Sequence, residues 1–352
     1  MAYTTIDDPS EYFTITLYAG NGSDDRSITN SANAGNFKPD WVWGKNRSQA
    51  GRHTWSDSSR GATKNIFSER TDAESTEADV LQAFETNGFQ VGTDTRLNSN
   101  GDNFVAWQWK ANGGTTSSNS DGTITSTVQA NTTAGFSIVT YTGNNTSNAT
   151  VGHGLGATPD VIIVKNRSGS NGWRFRHQKL DSGKNLYLDA ADGQLNDGSR
   201  TDLTSSTVFT LTNAGAAINA SSNNYVAYCF SEVKGYSKFG SFHGNSSLDG
   251  PMIYTGFSTK WLMYKNITSA TDWMILDDKR IHNASNAQLD YLEPNTSDSE
   301  GNMKLDFLSN GFKLRESSES GAKFNVTGQK YIYMAFAEHP FVSSKGVPVT
   351  AR

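Results

Sequence analysis

The chain has 352 residues, room for two or three domains at roughly 100–200 residues each. Hydrophobic residues make up 35% and charged residues 18%, yet aromatics reach 11%, which excludes a disordered chain and suits short strands joined by polar turns. The net charge of −5 gives no electrostatic footprint for nucleic acid, and the single cysteine excludes an internal disulfide or a thiolate metal cluster.

At the start, Met1 leads into Ala-Tyr-Thr-Thr-Ile-Asp-Asp-Pro with no basic and then apolar leader, so folding in a cytoplasm without cleavage is expected. The first strand-like run is Tyr12–Asn21, rich in Thr, Ile and Tyr and closed by a Gly-Asn turn. Pro39–Ser48 follows, with Trp55 after it. Asp72–Glu85 alone resembles a helix, with acidic residues early and Val80, Leu81 and Phe84 on one side. Its counterpart further on, Asp189–Ser205, is rich in Gly and Asn, so an insert loop with one helical turn is expected. Asn87–Val91 and Phe104–Trp109 read as two further strands. Residues 111–122 are Gly, Ser, Thr and Asn almost throughout, the composition of a flexible linker. Ile124, Ser126 and Val128 then alternate with Thr, which predicts an extra strand.

From there the chain restates itself. Gly135–Asn144 repeats Tyr12–Asn21, and Pro159–Ser168 repeats Pro39–Ser48. Weaker third versions are Phe239–Asn245 and Trp261–Asn266. A tryptophan follows each time, at Trp55, Trp173 and Trp273. The closing runs recur as Thr207–Leu211 with Tyr225–Phe230, and as Asn310–Leu314 with Tyr331–Phe336. Block order is the same in all three. The fold class expected is therefore all-β: three tandem antiparallel β-sandwich (jelly-roll-like) repeats of about 100 residues. Their boundaries fall at 1–112, at 113–234 with the linker, and at 235–352 with a C-terminal tail. Val161–Val164 is continuously apolar and predicts a central strand, whereas Phe136–Tyr141 alternates only in part and predicts an edge or one-sided strand. Cys229 lies in an apolar run, where a small buried hydrophobe is expected. The join at 232–239 holds aromatics, so the second and third repeats are expected to pack together.

Little of the sequence points to chemistry. The six histidines, His53, His153, His177, His243, His282 and His339, show no metal-ligand spacing, and there is no nucleophile elbow, P-loop or dinucleotide fingerprint. His153 reads as a turn residue between Gly152 and Gly154, with a binding role as the rival. Asp277 and Asp278 are adjacent, so on a strand they face opposite ways and share no proton. Asn98–Asn103 and Asn119–Gly122 carry oxygens suited to Ca²⁺ but lack a closing glutamate, and hairpin turns explain both. Lys45, Lys165 and Lys265, each followed by Asn, read as lysines laying their stems over a sheet edge while Asn turns the chain. The repeated tryptophans read as core, with sugar stacking as the rival.

Tyr141-Thr142-Gly143-Asn144, Pro159–Ser168, Tyr225–Ser241 and Ala335–Phe341 resemble an uncharacterised repeat-domain family of marine tailed bacteriophages, over about Asp7 to Arg352. The resemblance implies a structural virion protein, a tail-fibre or tail-associated component contributing to host attachment, localised in the virion after assembly in the host cytoplasm. A capsid-surface decoration that binds glycans is the alternative, with a polysaccharide depolymerase behind it. The family brings no active site, so the chain is expected not to be an enzyme, with no catalytic or metal residues, no cofactor, and binding residues unknown. The partners implied are other phage tail or virion proteins, a host surface glycan, and copies of itself in a homotrimer by analogy with phage fibres. Nucleic acid and membrane insertion are not expected, since no apolar stretch approaches roughly 20 residues. Val233–Phe242, with Tyr236, Phe239 and Phe242, offers a contact region for that trimer, or else a core between repeats two and three. The third repeat lacks the Pro-Asp and Arg-Ser positions, so its surface is expected to differ.

Overall fold

Runs rich in Val, Ile, Thr and aromatics, cut by Gly and Asn turns, form 27 short strands in the computed structural model, which describes residues 3–30, 37–281, 289–317 and 321–349. The first unit holds Phe13–Ala19 (β1), Arg26–Thr29 (β2), Trp41–Asn46 (β3), Thr54–Asp57 (β4), Lys64–Phe67 (β5), Ser75–Thr76 (β6), Leu81–Glu85 (β7), Gly88–Val91 (β8) and Asn103–Trp109 (β9). The second holds Ser117–Asn119 (β10), Ser126–Asn131 (β11), Phe136–Thr142 (β12), Ala149–Gly152 (β13), Val161–Asn166 (β14), Arg174–His177 (β15), Thr201–Asp202 (β16), Val208–Leu211 (β17) and Asn224–Phe230 (β18). The third holds Ser237–His243 (β19), Met252–Tyr254 (β20), Phe257–Asn266 (β21), Met274–Ile281 (β22), Leu289–Leu292 (β23), Gly301–Met303 (β24), Leu305–Leu308 (β25), Gly311–Leu314 (β26) and Lys330–Pro340 (β27).

Each unit is one six-stranded and one three-stranded antiparallel sheet. The orders are β1-β9-β3-β4-β5-β6 with β2-β8-β7, then β10-β11-β12-β18-β14-β15 with β13-β17-β16, then β19-β27-β21-β22-β23-β24 with β20-β26-β25. Register confirms the repeat residue by residue. Lys45 pairs with Val105, Lys165 with Val226 and Lys265 with Ile332, the same place on β3, β14 and β21. The Gly-Asn turns are equally matched. A Cβ on Gly20, Gly143 or Gly244 would stand 2.0, 2.2 or 2.3 Å from the carbonyl oxygen of Ser99, Ala220 or Val326, so only glycine fits there.

Three apolar cores lie between the paired sheets, one per unit. The fourth is shared. The inner faces of all three large sheets meet in a single cluster containing every one of the eight tryptophans. Phe336 of the third unit touches Trp109 of the first at 5.8 Å and Phe230 of the second at 6.0 Å. Each such ring removes about 150–250 Å² from water, worth on the order of 4–6 kcal/mol before entropy is counted. The accessible surface is 12470 Å², whereas three separate bodies of a third the mass would expose roughly 18,700 Å². The units are fused about one core.

Three expectations about the fold need correcting. Asp72–Glu85 is not helical; it holds β6 and β7, because Asn87-Gly88 turns β7 into a hairpin on β8 and cross-strand pairing overrides the helical spacing. Among the described residues the one α-turn is Thr95–Asn98, capped by Asp94. Phe136–Thr142 is not an edge, since β11, the extra strand expected from Ile124–Val128, covers it. The 111–122 segment is pinned: Ala111 and Gly113 donate backbone N–H groups to the buried Asp40 carboxylate at 2.7 and 2.8 Å, and Gly114 donates to Gln129 at 2.8 Å.

Candidate functional site

The shared core has three seams, and the polar side chains gather along them in cyclic order. At Trp41, Val161 and Trp261 the paired residues are Asp57, His177 and Asp277, one position seen three times. Each reaches into the next unit. Tyr228 donates its hydroxyl to Asp57 at 2.7 Å, His177 Nε2 lies 3.1 Å from the Tyr333 carbonyl, and Trp107 Nε1 donates to Asp277 at 2.9 Å. Three residues on, Arg60 and Arg280 neutralise Asp57 and Asp277, while the second unit has His177 with Leu180 and no charge to balance. Burial pushes the His177 imidazole down to about 3, so it sits there neutral.

A second ring of contacts runs outside the first. Backbone N–H groups of Glu74, Gln194 and Glu300 donate to the carbonyls of Arg167, Ile267 and Arg47, at 3.0, 3.0 and 3.2 Å. Arg167 also donates to both Glu74 oxygens, at 2.8 and 2.9 Å, and Arg47 to Glu300 at 2.7 Å. The third repeat carries Ile267 where these arginines stand, and there a second backbone bond, from the Thr271 N–H to the Ala191 carbonyl at 2.7 Å, joins the first.

The lysine series is buried in central strands and does not lie over a sheet edge. Lys45 Nζ donates to the Asn46 carbonyl at 2.7 Å, Lys265 to that of Asn266 at 2.6 Å, and Lys165 to those of Thr71 and Asn171 at 2.7 and 2.6 Å. Burial pushes these ammonium groups down, to about 8, about 8 and about 7 for Lys45, Lys165 and Lys265. Asn46, Asn166 and Asn266 do turn the chain, each accepting two following backbone N–H groups on its side-chain oxygen.

The tryptophan series is core but not one position. Trp173 and Trp273 are equivalent, and each indole N–H donates across a seam, to the Phe67 carbonyl at 2.9 Å and the Tyr187 carbonyl at 3.0 Å. Their counterpart in the first unit is His53, eight residues after Lys45, which accepts the Trp43 indole N–H at 3.0 Å. Trp55 matches Phe175 and Ile275 instead. His153 is buried, with Nε2 3.2 Å from the Ser205 carbonyl. Asp278 faces away from Asp277, and burial lifts its carboxyl to about 7 while Lys279 draws it down. Asn98 spends its side chain on Asn21, Ser23 and Gly92, and Asn119 bonds to Asp121. His282 lies outside the described residues.

Asp40 and Asp160, of the Pro-Asp pairs, hold the chain as it leaves each unit; Asp160 accepts the Glu232 N–H at 2.6 Å. The third unit has Lys260 in that place. Where the linker enters the first seam, Gln129 fills the space, donating to Ser59 at 2.8 Å and Ser58 at 3.0 Å. The other seams are open at the corresponding place. A cleft of about 640 Å³ at the second is lined by Asp160, Gln178, Lys179, Glu232, Lys238 and Ser241. One of about 470 Å³ at the third is lined by Asp7, Asp8, Ser10, Lys260, Lys279 and Glu338. These polar clefts are the candidate site. No sequence motif marked them, because their walls come from two units each.

A family model described as a domain of unknown function (DUF7483) matches residues 8–340. No curated protein and no solved structure matches the chain.

Proposed function

The chain belongs to that DUF7483 family, and we propose that it is a structural virion protein of a tailed bacteriophage, a tail-fibre or tail-associated component that contributes to host attachment. The observation that carries the reading is the closed ring of three units on one shared core. A body built this way resists unfolding outside a cell without disulfides, because no unit can open without exposing aromatics of the other two. The sequence blocks that resemble phage repeat domains supply the virion setting. A homotrimer belongs to the same proposal. Its contacts lie away from Tyr236, Phe239 and Phe242, which are all buried in the chain's own cores.

A capsid-surface decoration that binds glycans is the second reading, favoured by the open polar cleft at the third seam. Immunogold labelling of gradient-purified particles, with an antibody against the folded chain, tests both. Label on the tail is expected. Label on the capsid selects the second reading, and particles free of the protein by mass spectrometry overturn both.

A further inference from the structure

The three seams are equivalent in construction, yet only one carries an added strand. In the second unit β11 lies antiparallel along β12, with Gln129 opposite Ile138. It buries Gln129 and Ser126 and extends the large sheet beyond the point where the other two stop. The corresponding strand of the third unit is β19, with Phe239 in the place of Ile138, and it is the terminal strand of its sheet among the described residues.

The outer edge of β19 is still set out for pairing. The Phe239 N–H points to the Glu232 carboxylate at 3.4 Å and the Phe239 carbonyl accepts from Gln178 at 2.8 Å, so both groups leave the sheet sideways. Alternation along the strand sends the N–H and C=O of Ser241 the same way. Gln178 and Lys179 occupy the positions of Ser58 and Ser59, the two hydroxyls that hold Gln129 at the first seam. Lys179 is exposed, and among the described residues it has no ion pair. The cleft of about 640 Å³ in front of β19 lies where β11 lies at the first seam. An open edge beside a polar cleft, with a filled counterpart in the same chain, is an arrangement for β-augmentation.

We propose that this cleft takes an extended segment of a partner chain, paired antiparallel along Ser237–His243, with a glutamate opposite Phe239 that meets Lys179. Its backbone replaces the Gln178 and Glu232 contacts at Phe239 and adds new ones at Ser241. The glutamate stands where Gln129 stands at the first seam, with its charge matched to the ammonium group that replaces a serine hydroxyl. The occupant is a strand and not a glycan, because the groups lined up along β19 are alternating backbone donors and acceptors.

The probe is a fluorescein-labelled peptide copying residues 123–134 of this chain, with the substitution Gln129→Glu, titrated against the full protein by anisotropy. Saturable binding is expected, weakened at least tenfold by Ser241→Pro. That change removes an outward N–H at a sheet edge and leaves the ladder to β27 intact. As a second variant, Lys179→Glu is expected to weaken the Gln129→Glu peptide at least tenfold while sparing the unsubstituted peptide. Absence of binding at millimolar peptide overturns the proposal, as does binding that ignores both variants. Self-association of the protein that Ser241→Pro abolishes, without peptide binding, overturns it in favour of a second copy of the chain.

Discussion

Replacing Arg60 by leucine removes a guanidinium that is fully buried at the first seam. In the intact protein its Nε donates to Asp57, its Nη1 to Glu74 at 3.0 Å, and its Nη2 to the Trp55 carbonyl at 3.0 Å. Glu74 keeps Arg167 after the change, but Asp57 loses its cation and keeps the Tyr228 hydroxyl and the backbone N–H of residue 60. A buried carboxylate stripped of its cation costs about 3–5 kcal/mol. The second unit shows the remedy, since its equivalents of Asp57 and Arg60 are His177 and Leu180. The double variant Asp57→His with Arg60→Leu removes the charge as well as its partner, so it should fall within about 1–2 kcal/mol of the parent. Guanidinium unfolding of the parent, both single variants and the double variant at pH 7.5 gives the full cycle. An Arg60→Leu cost below about 1 kcal/mol, or a double variant no more stable than that single one, would refute the reasoning.

Three further outcomes are expected. His177 has a folded pKa of about 3, below its ordinary 6.5, so its contribution is whole above about pH 6.5 and is lost as pH falls toward 3. The slope for this one group is about 1.4 kcal/mol per pH unit, and a His177→Gln variant with an unchanged midpoint-against-pH curve would count against it. Lys265 is also depressed, to about 7 from 10.5, so the unfolded chain binds the extra proton and stability should rise between about pH 7 and pH 10. Lys265→Met should shrink that rise to the part left by Lys45 and Lys165, as read from urea midpoints across the range. Trp173→Ala should cost about 3–5 kcal/mol in the same assay, and an unchanged midpoint would show that the ring is not part of the core.

The repeat was legible because each unit conserves backbone requirements in place: Gly-Asn turns that admit no Cβ, and a Lys-Asn pair ending a central strand. The seams were not. Arg47 and Glu300 are 253 residues apart, and a pair so distant leaves no local pattern. Trp55 and Trp173 follow the same sequence block without sharing a position, since strand pairing puts His53 in the place of Trp173. The constant spacing is from the lysine: His53, Trp173 and Trp273 each lie eight residues after it. The 111–122 segment has a linker's composition, yet two buried acceptors awaiting it, Asp40 and Gln129, and the pairing of β10 on β11 hold it in place. Asp72–Glu85 misled because helical spacing of a few apolar residues also fits a hairpin strand beside its turn.

Ring closure also sets a timetable. Trp107 finds its acceptor only in Asp277, and Phe13 stacks on Phe336 at 5.3 Å, so the first unit meets its last partners at the far end of the chain. On a ribosome adding about 5–20 residues per second, those partners emerge on the order of 10–45 s after the first unit is complete. Throughout that interval the nascent protein presents a tryptophan-rich face to its surroundings. Chaperone occupancy of the growing chain, and the yield of soluble product when translation is slowed downstream of residue 112, are therefore governed by the last unit's arrival.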